Sequence, residues 1–298
     1  MFDLGPLRTL LFVPGTRLDR VEKACATATD AVIIDLEDAV PPAEKEGVRR
    51  AVSKLLEERG SDRLLVRVNG IHTDYFQADI EQVVCSGLAA LIVPKVESAE
   101  DVQAINAALV KVETAKGLES GVIPLIALIE TARAVDDISL IARAVTQPAR
   151  LYTFALGAAD YTADLGVEIT VDGVELQYPR FRLPIACRAA GLQAPLDTPF
   201  MRDLKSMSGL EADAIRAKQL GFQGKLCIHP NQIDIVNRVF SPQPEEIQMA
   251  HKVIAAFEEA ETTGQGALQV DGKFVDFPVV ARARRILEMA STLGNEVG

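Results

Sequence analysis

The 298-residue sequence predicts an α/β protein built as a (β/α)8 TIM barrel with a C-terminal hairpin–helix extension. Three observations carry that expectation. Eight short apolar runs recur along the chain, each is followed by a segment of helical spacing or composition, and the repeat of roughly 25–35 residues matches the barrel in count and total length. A doubly wound open sheet would usually have fewer strands and a glycine-rich dinucleotide loop after the first one. The residues after the first run, PGTRLDR, form no such loop.

The runs fall at 8–14 (RTLLFVP), 30–37 (DAVIIDLE), 63–69 (RLLVRVN), 90–95 (ALIVPK), 122–130, 151–156, 194–198 (APLDT, the weakest) and 225–230 (KLCIHP). The fifth, within GVIPLIALIET, reads as a strand buried on both faces, yet it ends on Glu130. A buried charge is costly without a partner. The sixth, RLYTFALGAAD, is broken by Gly157 and ends on Asp160. Two hydrophobic strands that each deliver a carboxylate at the C-terminal end point to a hard-cation site. Between the strands, residues 16–29 place Leu18, Val21, Ala24, Cys25 and Ala28 on one helical face, and residues 44–59 are rich in Glu, Lys, Arg and Leu. Residues 98–109 open on Ser98 followed by Asp101, a relative of the capping box. Past the eighth run, 244–263 reads as a helix with acids in its first turn, where the macrodipole favours them. Asp271-Gly272 then marks a hairpin, and 279–290 makes a last helix. The expected division is a catalytic barrel over 1–263 and an arm or lid over 264–298, hinged at Gly264 to Gly266.

Composition bounds the function. With 48% hydrophobic and 24% charged residues the chain has ample material for a core. A net charge of −11 argues against nucleic acid, which demands a basic face. Cys25, Cys85, Cys187 and Cys227 are scattered, so thiols in a reducing cytoplasm are expected rather than a zinc site or a disulfide framework. The opening MFDLGPLRTL does not read as a signal peptide, and no apolar run of about 18 residues predicts a membrane span.

Active sites on this fold lie at the C-terminal ends of the strands. Those ends carry Arg17; Asp35, Glu37 and Asp38; Arg67 and Asn69; Lys95; Glu130; Asp160; Asp197; and His229. Glu130 and Asp160 are the best metal ligands, and Mg2+, which takes few protein carboxylates and keeps several waters, suits them. Glu37 and Asp38 would bind those waters, or merely cap the next segment. Arg67 ends an otherwise apolar strand and would meet a carboxylate or enolate oxygen with its planar fork, or else form a rim ion pair. Lys95 reads as a supporting cation, with a Schiff-base nucleophile as the alternative. His229 is a substrate contact or a structural histidine.

The combination LFVPGTR, IIDLEDAVPPAEK, VRVN, VPKVE, LIET, ALGAADYTADLG, GFQGKLCIHPNQI and FVDFPVVARARRIL resembles the citrate lyase beta-subunit-like acyl-CoA lyases, which include citryl-, malyl- and citramalyl-CoA lyases, from about residue 8 to residue 290. The resemblance implies a (β/α)8 barrel that uses Mg2+ to cleave a 3-hydroxy-acyl-CoA into acetyl-CoA and a 2-oxo acid. It places the metal on Glu130 and Asp160, the substrate arginine on Arg67, a catalytic aspartate on Asp276 and a CoA-side basic residue on Arg17. Arg67, Glu130, Arg17 and Lys95 are then the expected substrate contacts. It also implies a homo-oligomer, a trimer or hexamer, in which the C-terminal segment completes the site of an adjacent chain. Asp276 would act there in trans; the alternative is that it caps the final helix. One departure is Ala134, where many relatives carry glycine. Three other readings stand beside the lyase: a metal-dependent aldolase of free hydroxy-oxo acids, a subunit acting on a carrier-protein thioester, and a non-catalytic binding barrel.

Overall fold

A computed structural model describes residues 4–61, 63–262 and 267–294. Eight parallel strands, β1 (Thr9–Pro14), β2 (Ala31–Asp35), β3 (Leu64–Arg67), β4 (Ala90–Val93), β5 (Leu125–Ile129), β6 (Leu151–Leu156), β7 (Leu196–Asp197) and β8 (Gly224–Cys227), lie side by side in chain order. β8 pairs with β1 and closes the barrel. Most observed strands are shorter than the apolar runs that predict them. The charged residues at the C-terminal ends of those runs, Glu37, Lys95 and Glu130 among them, have left the ladder for the loops.

Alternation along the strands builds the interior. Leu10 of β1, Ala31 and Ile33 of β2, Leu65 of β3, Ala90 and Ile92 of β4, Ile126 and Leu128 of β5, Leu196 of β7 and Leu226 of β8 share one core cluster. The period of two then carries the same face to Asp35 after Ile33, to Arg67 after Leu65 and to Glu130 after Leu128. One geometric rule therefore fills the barrel and decorates its mouth. The outer layer follows the expected alternation, with helices such as Lys45–Arg59 after β2 and Ala99–Ala115 after β4. Ser98 and Asp101 form a complete capping box at the start of the second of these.

Two buried ionic clusters brace the layers. Arg150, just before β6 and fully buried, meets Glu113 through both terminal nitrogens at 2.8 Å and donates Nε to Asn106 Oδ1 at 2.6 Å. Between β7, β8 and their covering helices, Asp197 and Asp213 share Arg180 and Lys225.

The chain divides into two compact units between Asn237 and Arg238. In the second, the helix Pro244–Thr262 packs on Phe277–Thr292 and on the hairpin of β9 (Leu268–Val270) and β10 (Lys273–Val275). The arm thus gathers a helix that the sequence reading counts with the barrel; the expected hinge at Gly264 to Gly266 lies outside the described residues. Asp271 (φ 47°) and Gly272 (φ 76°) form the hairpin turn with both central residues left-handed, the geometry that Asp-Gly favours. Val253, Phe257, Val275 and Val280 form the core of this unit. Among the described residues no helix is long and apolar enough to cross a membrane.

Arg150→Met should destabilise the protein by about 3–5 kcal/mol, because it strands the buried Glu113 carboxylate. Urea unfolding monitored by circular dichroism reads the change, and a loss below about 1 kcal/mol would show that the pair contributes little.

Candidate active site

The mouth of the barrel is organised around a cross-strand pair. Asp35 and Arg67 are register partners on β2 and β3. The Arg67 fork meets the Asp35 carboxylate with Nε at 2.7 Å and Nη2 at 2.8 Å, a bidentate charge-assisted contact. Arg67 Nη1 also lies 3.1 Å from Glu37 Oε2 and Nη2 lies 3.3 Å from Asp38 Oδ2, while the guanidinium sits over the Phe12 ring at 5.0 Å. Arg67 therefore forms the rim ion pair that one expectation describes, and it also lines the cavity.

That cavity, about 400 Å³, is bounded by Phe12, Asp35, Arg67, Glu130, Gly157 and Asp160 among others. Glu130 is 1% exposed and makes no ion pair among the described residues; its Oε1 accepts a hydrogen bond from Lys95 N at 2.9 Å. Lys95 reaches that position with a left-handed backbone, φ 53°, a conformation costly for a residue with a Cβ. Gly157 closes the other side. A Cβ there would stand 2.4 Å from Glu130 Oε2, so only glycine leaves room for the carboxylate. Asp160 sits in the first turn of the helix Ala158–Leu165, with Oδ1 3.5 Å from Lys95 Nζ, and the same ammonium lies 3.4 Å from Glu37 Oε1.

The electrostatics have one theme. Burial, reinforced by the Glu37 and Asp160 carboxylates, pushes Glu130 up to about 8. Burial likewise pushes Glu37 up to about 7 against the pull of Arg67. Glu37 Oε2 is buried and lacks an aligned hydrogen-bond donor although Arg67 is near. Burial works to lower Lys95, but Glu37, Asp160 and Glu130 outweigh it and raise its pKa, which favours the charged ammonium.

The donor set fits a hard divalent cation. Asp35, Glu37, Asp38, Glu130 and Asp160 bring five carboxylates to this end of the barrel against three cations, Arg67, Lys95 and the buried Lys45. Burial holds Glu130 and Glu37 toward their neutral forms, and a cation beside them would favour the charged forms. Glu130 and Asp160 would hold it. Among the described residues no three metal-ligating side chains stand close enough together to hold an ion by themselves.

Other expected residues are engaged with local partners. Arg17 is about half exposed, pairs with Asp19 and lines a neighbouring cavity of about 610 Å³ with Arg20, Lys23 and His229; that cavity adjoins the first through Phe12, Pro14 and Ile228. Asp197 faces outward into the Arg180–Lys225 cluster and has no place at the mouth. His229 caps a single turn, its Nδ1 accepting from Asn231 N. Asp276 caps the helix Phe277–Thr292, with Oδ1 accepting from Val279 N at 3.3 Å. Ala134 lies buried in a short helix capped by Thr131, where alanine fits.

Lys45 is the residue that sequence reasoning passes over. It stands at the start of a helix, where the macrodipole disfavours a cation, and that anomaly was the available signal.

This geometry meets its relatives at residues 8–230, which match the HpcH/HpaI aldolase/citrate lyase family. The chain belongs to this family. By that membership it is an enzyme of the lyase type. It is 38% identical to the citrate lyase subunit beta of Leuconostoc mesenteroides subsp. cremoris over 286 residues, 95% of this chain and 93% of the relative. It is also 38% identical to a (3S)-malyl-CoA thioesterase of Cereibacter sphaeroides over 290 residues, 97% of this chain and 96% of the relative. Among solved structures, the Mycobacterium tuberculosis CitE protein in complex with magnesium, acetoacetate and coenzyme A aligns with a TM-score of 0.74 at 31% identity, covering 96% of this chain and 98% of that one.

Gly157→Ala should weaken Mn2+ binding about tenfold or more by displacing the Glu130 carboxylate, while overpacking lowers stability by only about 1–3 kcal/mol. Electron paramagnetic resonance of bound Mn2+ measures the affinity, and an unchanged value would show that Glu130 can move without consequence.

Proposed function

We propose that this family member is a Mg2+-dependent acyl-CoA lyase that breaks the C2–C3 bond of a 3-hydroxy-acyl-CoA of the citramalyl-, citryl- or malyl-CoA type, giving acetyl-CoA and a 2-oxo acid. The observation that carries the reading is the buried Glu130, without an ion-pair partner among the described residues, grouped with Asp160 and Glu37 beside Arg67. The M. tuberculosis CitE complex with magnesium, acetoacetate and coenzyme A supports it, as does the M. tuberculosis citrate lyase beta subunit with oxaloacetate and magnesium, which is 31% identical with a TM-score of 0.64 and covers 80% of this chain and 99% of its own.

Cleavage turns the C3 hydroxyl into the carbonyl of the oxo acid with loss of its proton and leaves an enolate beside the thioester, so the site must accept that proton, stabilise negative charge and return a proton to the acetyl carbon. A bound Mg2+ would polarise the hydroxyl and carboxylate of the departing oxo acid. Arg67, held flat by Asp35, presents the cavity-facing side of its guanidinium to developing charge, and Lys95 adds a second cation at the same end. Phe12, Leu128, Leu156 and Leu226 line the cavity and limit water around the enolate. Arg17, with Arg20 and Lys23 in the adjoining cavity, offers positive charge to the phosphates of a CoA handle. Asp276 is assigned the proton transfer at the acetyl carbon, acting from a neighbouring chain of a homo-oligomer, a trimer or hexamer by likeness to the family. The four free thiols accord with a cytoplasmic setting.

The decisive assay incubates the protein with acetyl-CoA and pyruvate, glyoxylate or oxaloacetate, with and without Mg2+, and follows both condensation and release of free CoA. One oxo acid should support metal-dependent condensation and Glu130→Gln should abolish it while the circular dichroism stays near normal. Full activity in excess chelator or in the variant would sink the metal assignment. Free CoA as the sole new product would instead favour thioester hydrolysis, the activity named for the C. sphaeroides relative.

Mixing inactive Asp276→Asn chains with inactive Glu130→Gln chains should restore activity, because some oligomers then hold one site with both residues intact. No recovery despite proven subunit exchange would mean that Asp276 acts within its own chain or serves only as the helix cap.

A further inference from the structure

Glu37 and Asp38 are sequence neighbours, yet both carboxylates meet the same guanidinium, at 3.1 and 3.3 Å. Adjacent residues of an extended strand point to opposite faces. The chain must therefore turn sharply just past β2, and something must hold the turn.

The backbone there is gripped by both polarities. On one side the Asp35 carboxylate accepts from Glu37 N at 3.0 Å and from Ala39 N at 3.1 Å. On the other, Lys45 Nζ donates to Leu36 O at 2.8 Å, to Glu37 O at 2.9 Å and to Asn69 Oδ1 at 2.7 Å. Lys45 is buried and, among the described residues, has no carboxylate within salt-bridge distance; its three hydrogen-bond acceptors are neutral, and its Nζ stands 5.2 Å from the centre of the Tyr75 ring. Burying an ammonium on neutral oxygens is a costly choice for a merely structural contact. Its third partner is itself fixed, because Asn69 donates from N and Nδ2 to Asp79 Oδ2, and Asp79 pairs with Arg49. The chain from Arg49 to Lys45 is anchored in the helix layer and ends on the two carbonyls that precede Asp38.

We infer that Lys45 is a positioning residue: its ammonium fixes the peptide groups of Leu36 and Glu37 so that Glu37 and Asp38 converge on Arg67 and on the metal's waters. It touches no reacting atom and acts through the loop. The three-point acceptor arrangement matches the three donors of an ammonium, which neither a planar guanidinium nor an amide reproduces. The part that concerns the metal rests on the metal-dependent reading proposed above; the part that concerns the loop does not.

The test compares the wild-type protein, Lys45→Met, Lys45→Gln and, as a structural control, Arg8→Met, which breaks an ion pair with Asp30 at the N-terminal end of β1. Two quantities are read: amide hydrogen exchange over residues 36–40, and the dissociation constant of Mn2+. Lys45→Met should speed exchange over 36–40 about tenfold or more and weaken Mn2+ by about 10–100-fold, the usual effect of losing an outer partner of a metal site. Lys45→Gln keeps a donor, should give the same pattern at smaller amplitude, and decides the matter if the methionine variant does not fold. Arg8→Met should lower stability and move neither reading. Unchanged exchange over 36–40 in the lysine variants overturns the positioning role whatever the metal does. Faster exchange with unaltered Mn2+ affinity overturns its connection to the metal site. If the wild type binds no Mn2+, the metal-dependent reading fails, and the exchange data still decide what Lys45 does to the loop.

Discussion

The pairing of Asp35 with Arg67 is the contact on which the mouth of this barrel depends. The two residues are register partners on adjacent parallel strands, so the sheet itself sets their separation before any side chain is placed. Bidentate geometry then fixes the guanidinium plane, and that plane defines where Glu37 and Asp38 can go. Asp35 has a second duty, accepting two backbone N–H groups of the loop that carries those acids. One carboxylate thus orients a cation and a turn at once. The remaining acids, Glu130 and Asp160, arrive from β5 and from the helix after β6, where nothing neutralises them fully. Such charge crowding in a poorly solvated mouth is destabilising by itself and is characteristic of a site made for a ligand.

Much of this was legible in the sequence because the barrel rule converts one-dimensional order into position. An apolar run ending in a charged residue locates that residue at the catalytic face, and Glu130, Asp160, Arg67, Lys95 and Glu37 all come together there. The same rule misassigned Asp197, because β7 contributes only two residues and its aspartate is on the outward face of the alternation. Lys45 was passed over for a different reason, its unfavoured place at a helix start being the one trace it left. Its importance lies in three acceptors drawn from a loop and from the next strand's end, which no periodicity of its own helix encodes. Nor could the sequence say that the helix Pro244–Thr262 packs with the arm, since an amphipathic pattern specifies a face and not the partner that covers it.

The hairpin of the second unit shows the opposite extreme, where local chemistry sufficed. Asp271-Gly272 places two residues in left-handed conformations and suits the pairing of Val270 with Lys273, while the ion pair of Asp271 with Lys252 adds one contact from the helix beside it. Turn chemistry is read from two letters, whereas a polar network is read only from the fold.

The brevity of β7 has a consequence for how the cylinder is closed. With β6 it shares a single register pair and with β8 two, far fewer than the five that join β1 to β2. Across this narrow seam the backbone ladder gives way to side chains: Thr153 Oγ1 reaches the carbonyls of Gln193 and Ala194, and Asp197 and Asp213 clasp Lys225 and Arg180 behind the strands. Hydrogen-bonded sheet carries no formal charge, whereas a joint of opposed buried charges has desolvation to offset before it stabilises anything. The wall is therefore made of two materials, a peptide weave around most of its circumference and an electrostatic clasp along one edge, and that edge stands beside Thr198 and Ala158 at the rim of the cavity.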